Sequence, residues 1–180
     1  MLIIIDNSVY LPKSNSNLYK FLKSNRLPFV KVKNFDELNV CLDKNIPTKF
    51  VLTGSPLMFH KKHFETYKSV FDLNVYILEK FGNRIPIYGI CFGAQLITLF
   101  YGGVLEKLEK EFSKTIPGRG DRKYFFCLNY RIRRLPKRFK TEFKIRELGT
   151  VSFSTGNKMI RGFLFHPETY RETWEDLRFI

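Results

Sequence analysis

Histidine, cysteine and acidic side chains are scarce in this chain. Its 180 residues hold three histidines, three cysteines and one tryptophan, and 17 Asp+Glu stand against 31 Lys+Arg. The cysteines, Cys41, Cys91 and Cys127, have neither the spacing of a metal site nor the even number of a disulfide framework, so a reducing compartment is expected. No metal and no cofactor are expected. No apolar run approaches the ~18 residues of a membrane span. Met1 to Ile5 is too short before Asp6 to be the apolar region of a signal peptide. A soluble, cytoplasmic protein is therefore the expectation. The chain also lacks internal repeats, low-complexity tracts and any linker rich in Pro, Gly or Ser. One domain over residues 1–180 is expected, long enough to bury a sizeable core. Its 44% hydrophobic and 16% aromatic content excludes a disordered chain.

What is present is a corner. In Ile87-Tyr88-Gly89-Ile90-Cys91-Phe92-Gly93-Ala94-Gln95 an apolar strand runs into Gly-x-Cys-x-Gly and then into a helical pattern. A nucleophile elbow needs such a sharp strand-to-helix turn, with small residues two positions either side of the nucleophile where backbones pass closely. A cysteine at the tip sits over a helix N-terminus, whose partial positive charge favours negative charge on sulfur and raises nucleophilicity. The competing reading is an inert, packed cysteine, since free cysteines are among the most buried residue types. A base elsewhere in the chain decides between them, because a cysteine nucleophile needs a histidine within hydrogen-bond reach, oriented by a third group.

Of the three histidines, His60 and His63 lie in an aromatic and basic segment without cysteine or carboxylate company, and read as surface residues. His166 follows the apolar run Gly162-Phe163-Leu164-Phe165 and precedes Pro167 and Glu168. Proline ends the strand and fixes its own φ, so a base and a carboxylate two residues apart share one rigid turn. Cys91, His166 and Glu168 form a candidate triad.

Hydrophobic periodicity gives strands at Leu2–Ile5, Phe29–Val32, Lys49–Leu52 and Ile85–Ile90. Between and after them it gives helices at Asn17–Asn25, from Asn34 with Phe35, Leu38 and Leu42 on one face, at Phe64–Leu73 and at Phe92–Tyr101. This βαβαβαβα order implies a three-layer α/β fold: a mainly parallel twisted sheet with helices on both faces, whose sites lie at the carboxyl ends of the strands. Beyond Gly103 the pieces Tyr124–Leu128, Glu142–Ile145, Val151–Ser154 and Ile160–Phe165 suggest an antiparallel edge.

These residues resemble the class I, or triad-type, glutamine amidotransferases. The elbow Gly89 to Gln95 is similar to that family's nucleophile motif, and Phe165-His166-Pro167-Glu168 to its base and orienting acid. Val51-Leu52-Thr53-Gly54-Ser55-Pro56 is similar to its oxyanion strand and loop, and Leu2 to Asn7 to its first strand. The motifs occur in the family's order and span nearly the whole chain. The resemblance implies a flavodoxin-like scaffold and hydrolysis of the side-chain amide of L-glutamine through a Cys91 thioester, with ammonia passed to a synthetase. It also implies backbone oxyanion donors at Phe92 and Ser55, where many relatives have glycine in place of Ser55. Losing one such donor costs about 10²–10³ in rate, so a loop flipped at rest would switch the site off until a partner docks. The resemblance further implies substrate contacts at Gly54 and Gln95. Near Leu128-Asn129-Tyr130 the family's usual polar pair is missing, which leaves Asn129 and Tyr130 as candidates for the amino-acid end of the substrate. The acceptor stays open among guanylate, anthranilate or aminodeoxychorismate, carbamoyl phosphate and imidazole glycerol phosphate systems.

The net charge of +14 and the pI near 9.8 imply that an electrostatic field shapes the choice of partner. Basic residues gather in Gly118-Arg119-Gly120-Asp121-Arg122-Lys123 and at Arg131, Arg133, Arg134, Lys137, Arg138 and Lys140. They read either as a solvated face or as a docking face for an acidic synthetase partner or a nucleic acid, the latter without any recognised nucleic-acid motif. Arg119-Gly120-Asp121 as an adhesion signal is a chance occurrence. Three functions follow. The first is a stand-alone glutaminase subunit, since the chain runs only to Ile180 after Glu168. The second is a γ-glutamyl hydrolase-like cysteine hydrolase. The third is a non-catalytic binding module with a basic face.

Overall fold

The computed structural model describes residues 1–11, 15–118 and 121–178. Arg119 and Gly120 of the basic run lie outside the described residues. The first half alternates as the periodicity implies: β1 (Leu2–Ile5), α1 (Ser16–Ser24), β2 (Phe29–Val32), α2 (Phe35–Lys44), β3 (Lys49–Leu52), α3 (Lys61–Thr66), α4 (Lys68–Phe81), β4 (Ile87–Ile90) and α5 (Phe92–Phe100). Each helix has a local cause. In α1 the stripe Leu18, Phe21 and Leu22 is buried. At α2 the Asn34 side chain accepts from the Glu37 N–H (2.9 Å) while the Glu37 carboxylate accepts from the Lys33 N–H, a capping arrangement that satisfies otherwise orphaned donors.

The second half is β5 (Val104–Pro117), β6 (Lys123–Arg134), β7 (Phe139–Ile145), β8 (Gly149–Thr155), β9 (Ile160–Phe163) and a 3₁₀ segment (Arg171–Leu177). One sheet runs β2-β1-β3-β4-β9-β8-β6-β5, with β7 paired to β8. From β2 to β9 neighbours are parallel, and from β9 onward they are antiparallel. The core is this sheet's apolar interior, with Ile3, Ile4, Ile5, Phe50, Leu52 and Ile87 completely inaccessible. Helix α5 packs across β3, β4 and β9. Among the described residues no helix is long and apolar enough to cross a membrane.

Three expectations change. The helix expected at Phe64–Leu73 is two helices broken at Tyr67 (φ −116°, ψ 32°), and the second continues to Phe81. Asn74 obscured that continuation, because it is a polar residue on the buried stripe of α4. Its side chain exchanges hydrogen bonds with Asn7 at 2.7 and 3.3 Å, which removes the cost of burying two amides. The strand read as Ile160–Phe165 stops at Phe163 and joins the parallel half beside β4. Strand β5 gave no signal: it is an edge strand of alternating Lys and Glu, interrupted by a register shift between Lys107 and Phe112.

Replacing Asn74 by alanine leaves the Asn7 amide buried without that partner. We expect a loss of about 1–3 kcal/mol, read as a lower urea midpoint at unchanged m-value.

Candidate active site

The β4–α5 corner is as sharp as its glycines allow. Cys91 has φ 51° and ψ −107°, a left-handed conformation that side chains other than glycine rarely adopt and that costs of order 1–3 kcal/mol. Both flanking glycines are sterically required. A Cβ on Gly89 would lie 2.6 Å from the Ala94 nitrogen, and one on Gly93 would lie 2.2 Å from the Leu52 carbonyl oxygen. The corner is further fixed by the Cys91 N–H donating to the Phe163 carbonyl at 2.7 Å, which ties it to β9.

His166 and Glu168 arrive from the end of β9. The His166 N–H donates to the Phe125 carbonyl (2.9 Å), and its ring Nδ1 lies 2.8 Å from Glu168 Oε1. The Glu168 side chain is 4% exposed and that of His166 16%. Burial works against the charged imidazole, but the Glu168 carboxylate, reinforced by the Cys91 sulfur, outweighs it and holds His166 well above the usual histidine range. With Nδ1 engaged by the acid, Nε2 is the ring atom left for the thiol. The 3₁₀ segment braces this turn from behind: the Thr173 hydroxyl donates to the Pro167 carbonyl (2.7 Å) and the Trp174 indole to the Glu168 carbonyl (3.3 Å).

The third wall is the loop after β3. Gly54 packs so closely that a Cβ there would stand 3.0 Å from the His166 ring and 3.6 Å from Cys91 Cβ. Ser55 turns the loop, its Oγ accepting from the Leu57 N–H at 3.2 Å. Leu57 then enters an apolar cluster with Phe71, Phe92 and Leu96, so the loop and the first turn of α5 share one anchor. The Phe92 N–H, first in α5, has no partner within its helix.

These elements enclose a cleft of about 450 Å³, lined among others by Cys91, His166, Glu168, Gly54 and Ser55. Gln95, Asn129 and Tyr130 are not in that lining. Gln95 is buried (4% exposed) with its amide donating to the Tyr130 carbonyl at 2.9 Å, which joins α5 to β6. The lining also includes residues that the sequence did not single out for the site, among them Asn15, Thr115, Phe125, Cys127 and Tyr170. Phe125 and Cys127 were recoverable from the period of two along β6, which puts both on the face opposite the buried Phe126 and Leu128. His60 and His63 lie away from the cleft, where His60 caps α3 and His63 accepts from the Met58 N–H. Among the described residues no group of His, Cys, Asp and Glu could hold a metal ion. Part of the basic set is paired within the chain: Arg131 meets Glu106 at 3.0 Å, and the Arg138 guanidinium stacks 4.3 Å from the Tyr101 ring centre.

The fold and cleft together define an α/β protein with a cysteine at a nucleophile elbow and a histidine–carboxylate pair beside it. The family profile of class-I glutamine amidotransferases matches residues 13–177, and the chain belongs to that family. Among curated relatives it is similar to the GMP synthase [glutamine-hydrolyzing] of Helicobacter pylori strain G27, at 28% identity over 155 residues. The protein of the same name from Caldicellulosiruptor saccharolyticus is 30% identical over 145 residues. These alignments cover 78% and 73% of this chain but only 28% and 26% of the relatives, so the chain spans about a quarter of their length. Among solved structures, a Thermoplasma acidophilum protein assigned as part of a GMP synthase superposes with a TM-score of 0.75 at 18% identity, covering 98% of this chain and 89% of that one. A glutamine amidotransferase from Thermotoga maritima superposes with a TM-score of 0.65 at 18% identity, covering 98% and 79%. Both share the fold.

A histidine whose folded pKa lies above its ordinary 6.5 stabilises the fold fully below that value and loses the contribution as pH rises through the raised one. Glu168→Gln removes the largest cause of the rise. The stability gap between wild type and Glu168→Gln is therefore expected to be widest below the ordinary histidine value and to shrink as the pH is raised through the elevated one, measured by denaturant melts from mildly acidic to alkaline pH.

Proposed function

We propose that the chain is a glutaminase domain, spanning residues 1–180, that hydrolyses the side-chain amide of L-glutamine at Cys91 and delivers ammonia to a separate synthetase. The observation that carries this reading is the convergence of Cys91, His166 and Glu168 on one cleft in a member of a family named for that reaction.

In this reading the Cys91 sulfur attacks the amide carbon and forms a tetrahedral intermediate. The His166 imidazolium gives its proton to the departing ammonia, which leaves a thioester. The neutral imidazole then takes a proton from water, whose oxygen attacks the thioester carbon, and glutamate leaves as the thiol is restored. Glu168 holds the imidazole in one tautomer and favours its charged form. The oxyanion at each step is met by the Phe92 and Ser55 N–H groups, the two donors anchored by the Leu57–Phe92 cluster. Gly54, in the cleft lining, meets the amino-acid end of the substrate; Gln95, Asn129 and Tyr130 stay candidates for that contact although they lie outside the lining. The relatives' shared name supports a GMP-forming enzyme as the ammonia acceptor.

Purified chain incubated with glutamine, alone and with a GMP-forming synthetase, is expected to release ammonia and glutamate in equal amounts. Cys91→Ala is expected to lower that rate by at least about 10³-fold without changing the melting temperature by more than a few degrees. Release of ammonia by Cys91→Ala at the wild-type rate, or no release from wild type in either condition, overturns the reading.

A further inference from the structure

The loop after β3 contains a hydroxyl with a specific geometric task. Thr53 is completely buried. Its Oγ1 accepts from the Asn7 N–H at 2.9 Å and from the Asn15 side-chain amide at 3.0 Å, and it donates to the Gly54 carbonyl at 3.2 Å. A hydroxyl has one proton and two lone pairs, so these three bonds use its capacity completely and leave it one orientation. The groups that donate to it are not free to drift either. Asn15 sends a second amide bond to Asp6 Oδ1 at 2.7 Å, and Asp6 is itself held by the Ser8 hydroxyl and N–H.

The consequence lies one bond away. The Gly54 carbonyl and the Ser55 N–H belong to the same trans peptide, whose C=O and N–H point in opposite directions. A hydroxyl that holds the carbonyl towards Thr53 turns the Ser55 N–H the opposite way. Glycine at position 54 offers little resistance to rotation of that peptide, since it has no Cβ. The loop's lower half is pinned by Leu57, and the Thr53 bond acts on the carbonyl itself.

We propose that Thr53 is a positioning residue: its hydroxyl fixes the Gly54–Ser55 peptide so that the Ser55 N–H faces the oxyanion formed at Cys91. This rests on the reading of Cys91 as an acyl-forming nucleophile. It assigns the preformed state of the donor to a buried side chain at the end of β3 and not to a docked partner.

The test compares two reactions of Cys91 that differ in whether an oxyanion develops. Acylation by p-nitrophenyl acetate passes through a tetrahedral oxyanion, forms a thioester and expels p-nitrophenolate. Alkylation by iodoacetamide is displacement of iodide at a saturated carbon and forms none. Both are measured with the Cys91→Ala background subtracted. In Thr53→Val acylation, and kcat for glutamine, are expected to fall about 10-fold to 10²-fold, with KM and the alkylation rate within about twofold of wild type. Thr53→Ser, which keeps the hydroxyl, is expected to recover most of the loss. The proposal is overturned if Thr53→Val acylates at the wild-type rate, if acylation and alkylation fall together, or if Thr53→Ser is as slow as Thr53→Val. Should the valine variant not fold, Thr53→Ala removes the hydroxyl without setting a methyl against Asn7 and Asn15, and it is judged by the same two rates. A wild-type chain that acylates but leaves glutamine intact defeats the glutaminase reading and leaves the Thr53 comparison standing.

Discussion

The close approach of α5 to β3, where Gly93 meets the carbonyl of Leu52 with no room for a Cβ, is the constraint from which the site's geometry follows. It lets the helix begin immediately after β4, which forces the left-handed corner at Cys91 and lifts the sulfur to the helix N-terminus. The same approach brings the loop after β3 beside the corner, so that a Cβ on Gly54 would meet both the histidine ring and the cysteine Cβ. Backbone strain of this kind persists only where the surroundings over-determine it. Here the surroundings are the β9 carbonyl that holds the Cys91 N–H and the aromatic cluster around Phe92.

Two bracing systems meet at the thiol, and they work by different physics. On the β3 side the bracing is polar: a buried chain of Asp6, Asn15, Thr53 and Gly54, each group satisfied, specifies one conformation of a glycine-containing loop. On the β9 side it is electrostatic and local, with a buried carboxylate two residues from the histidine setting its tautomer and its charge. The 3₁₀ segment secures that turn through Thr173 and Trp174 and is tied to the chain just before β6 by Arg122 pairing with Glu175 and Asp176.

Much of this was legible in the sequence because it depends on short-range demands. Gly89 and Gly93 are written two residues either side of Cys91, and Pro167 separates His166 from Glu168; such spacings survive any detail of packing. The alternating strands and helices to Gly103, α3 and the end of α4 excepted, were legible because they bury simple apolar stripes. What escaped depends on partners distant in the chain. Asn74 looks like the end of a helix until Asn7 is placed against it. The charged edge strand β5 has little apolar signal because its outer side meets no strand among the described residues. Thr53 reads as an ordinary strand-end residue, and only the convergence of Asn7 and Asn15, 46 and 38 residues away, reveals its hydroxyl's task.

The central claim is that Cys91 carries the substrate covalently. Acid quench of the chain during turnover of glutamine, followed by peptide mass mapping, tests it most directly. The account predicts that the peptide containing Cys91 gains the mass of one glutamyl group, and that the increment disappears on treatment with hydroxylamine. Steady ammonia release with an unmodified Cys91 peptide, or with the increment on Cys127, would contradict it.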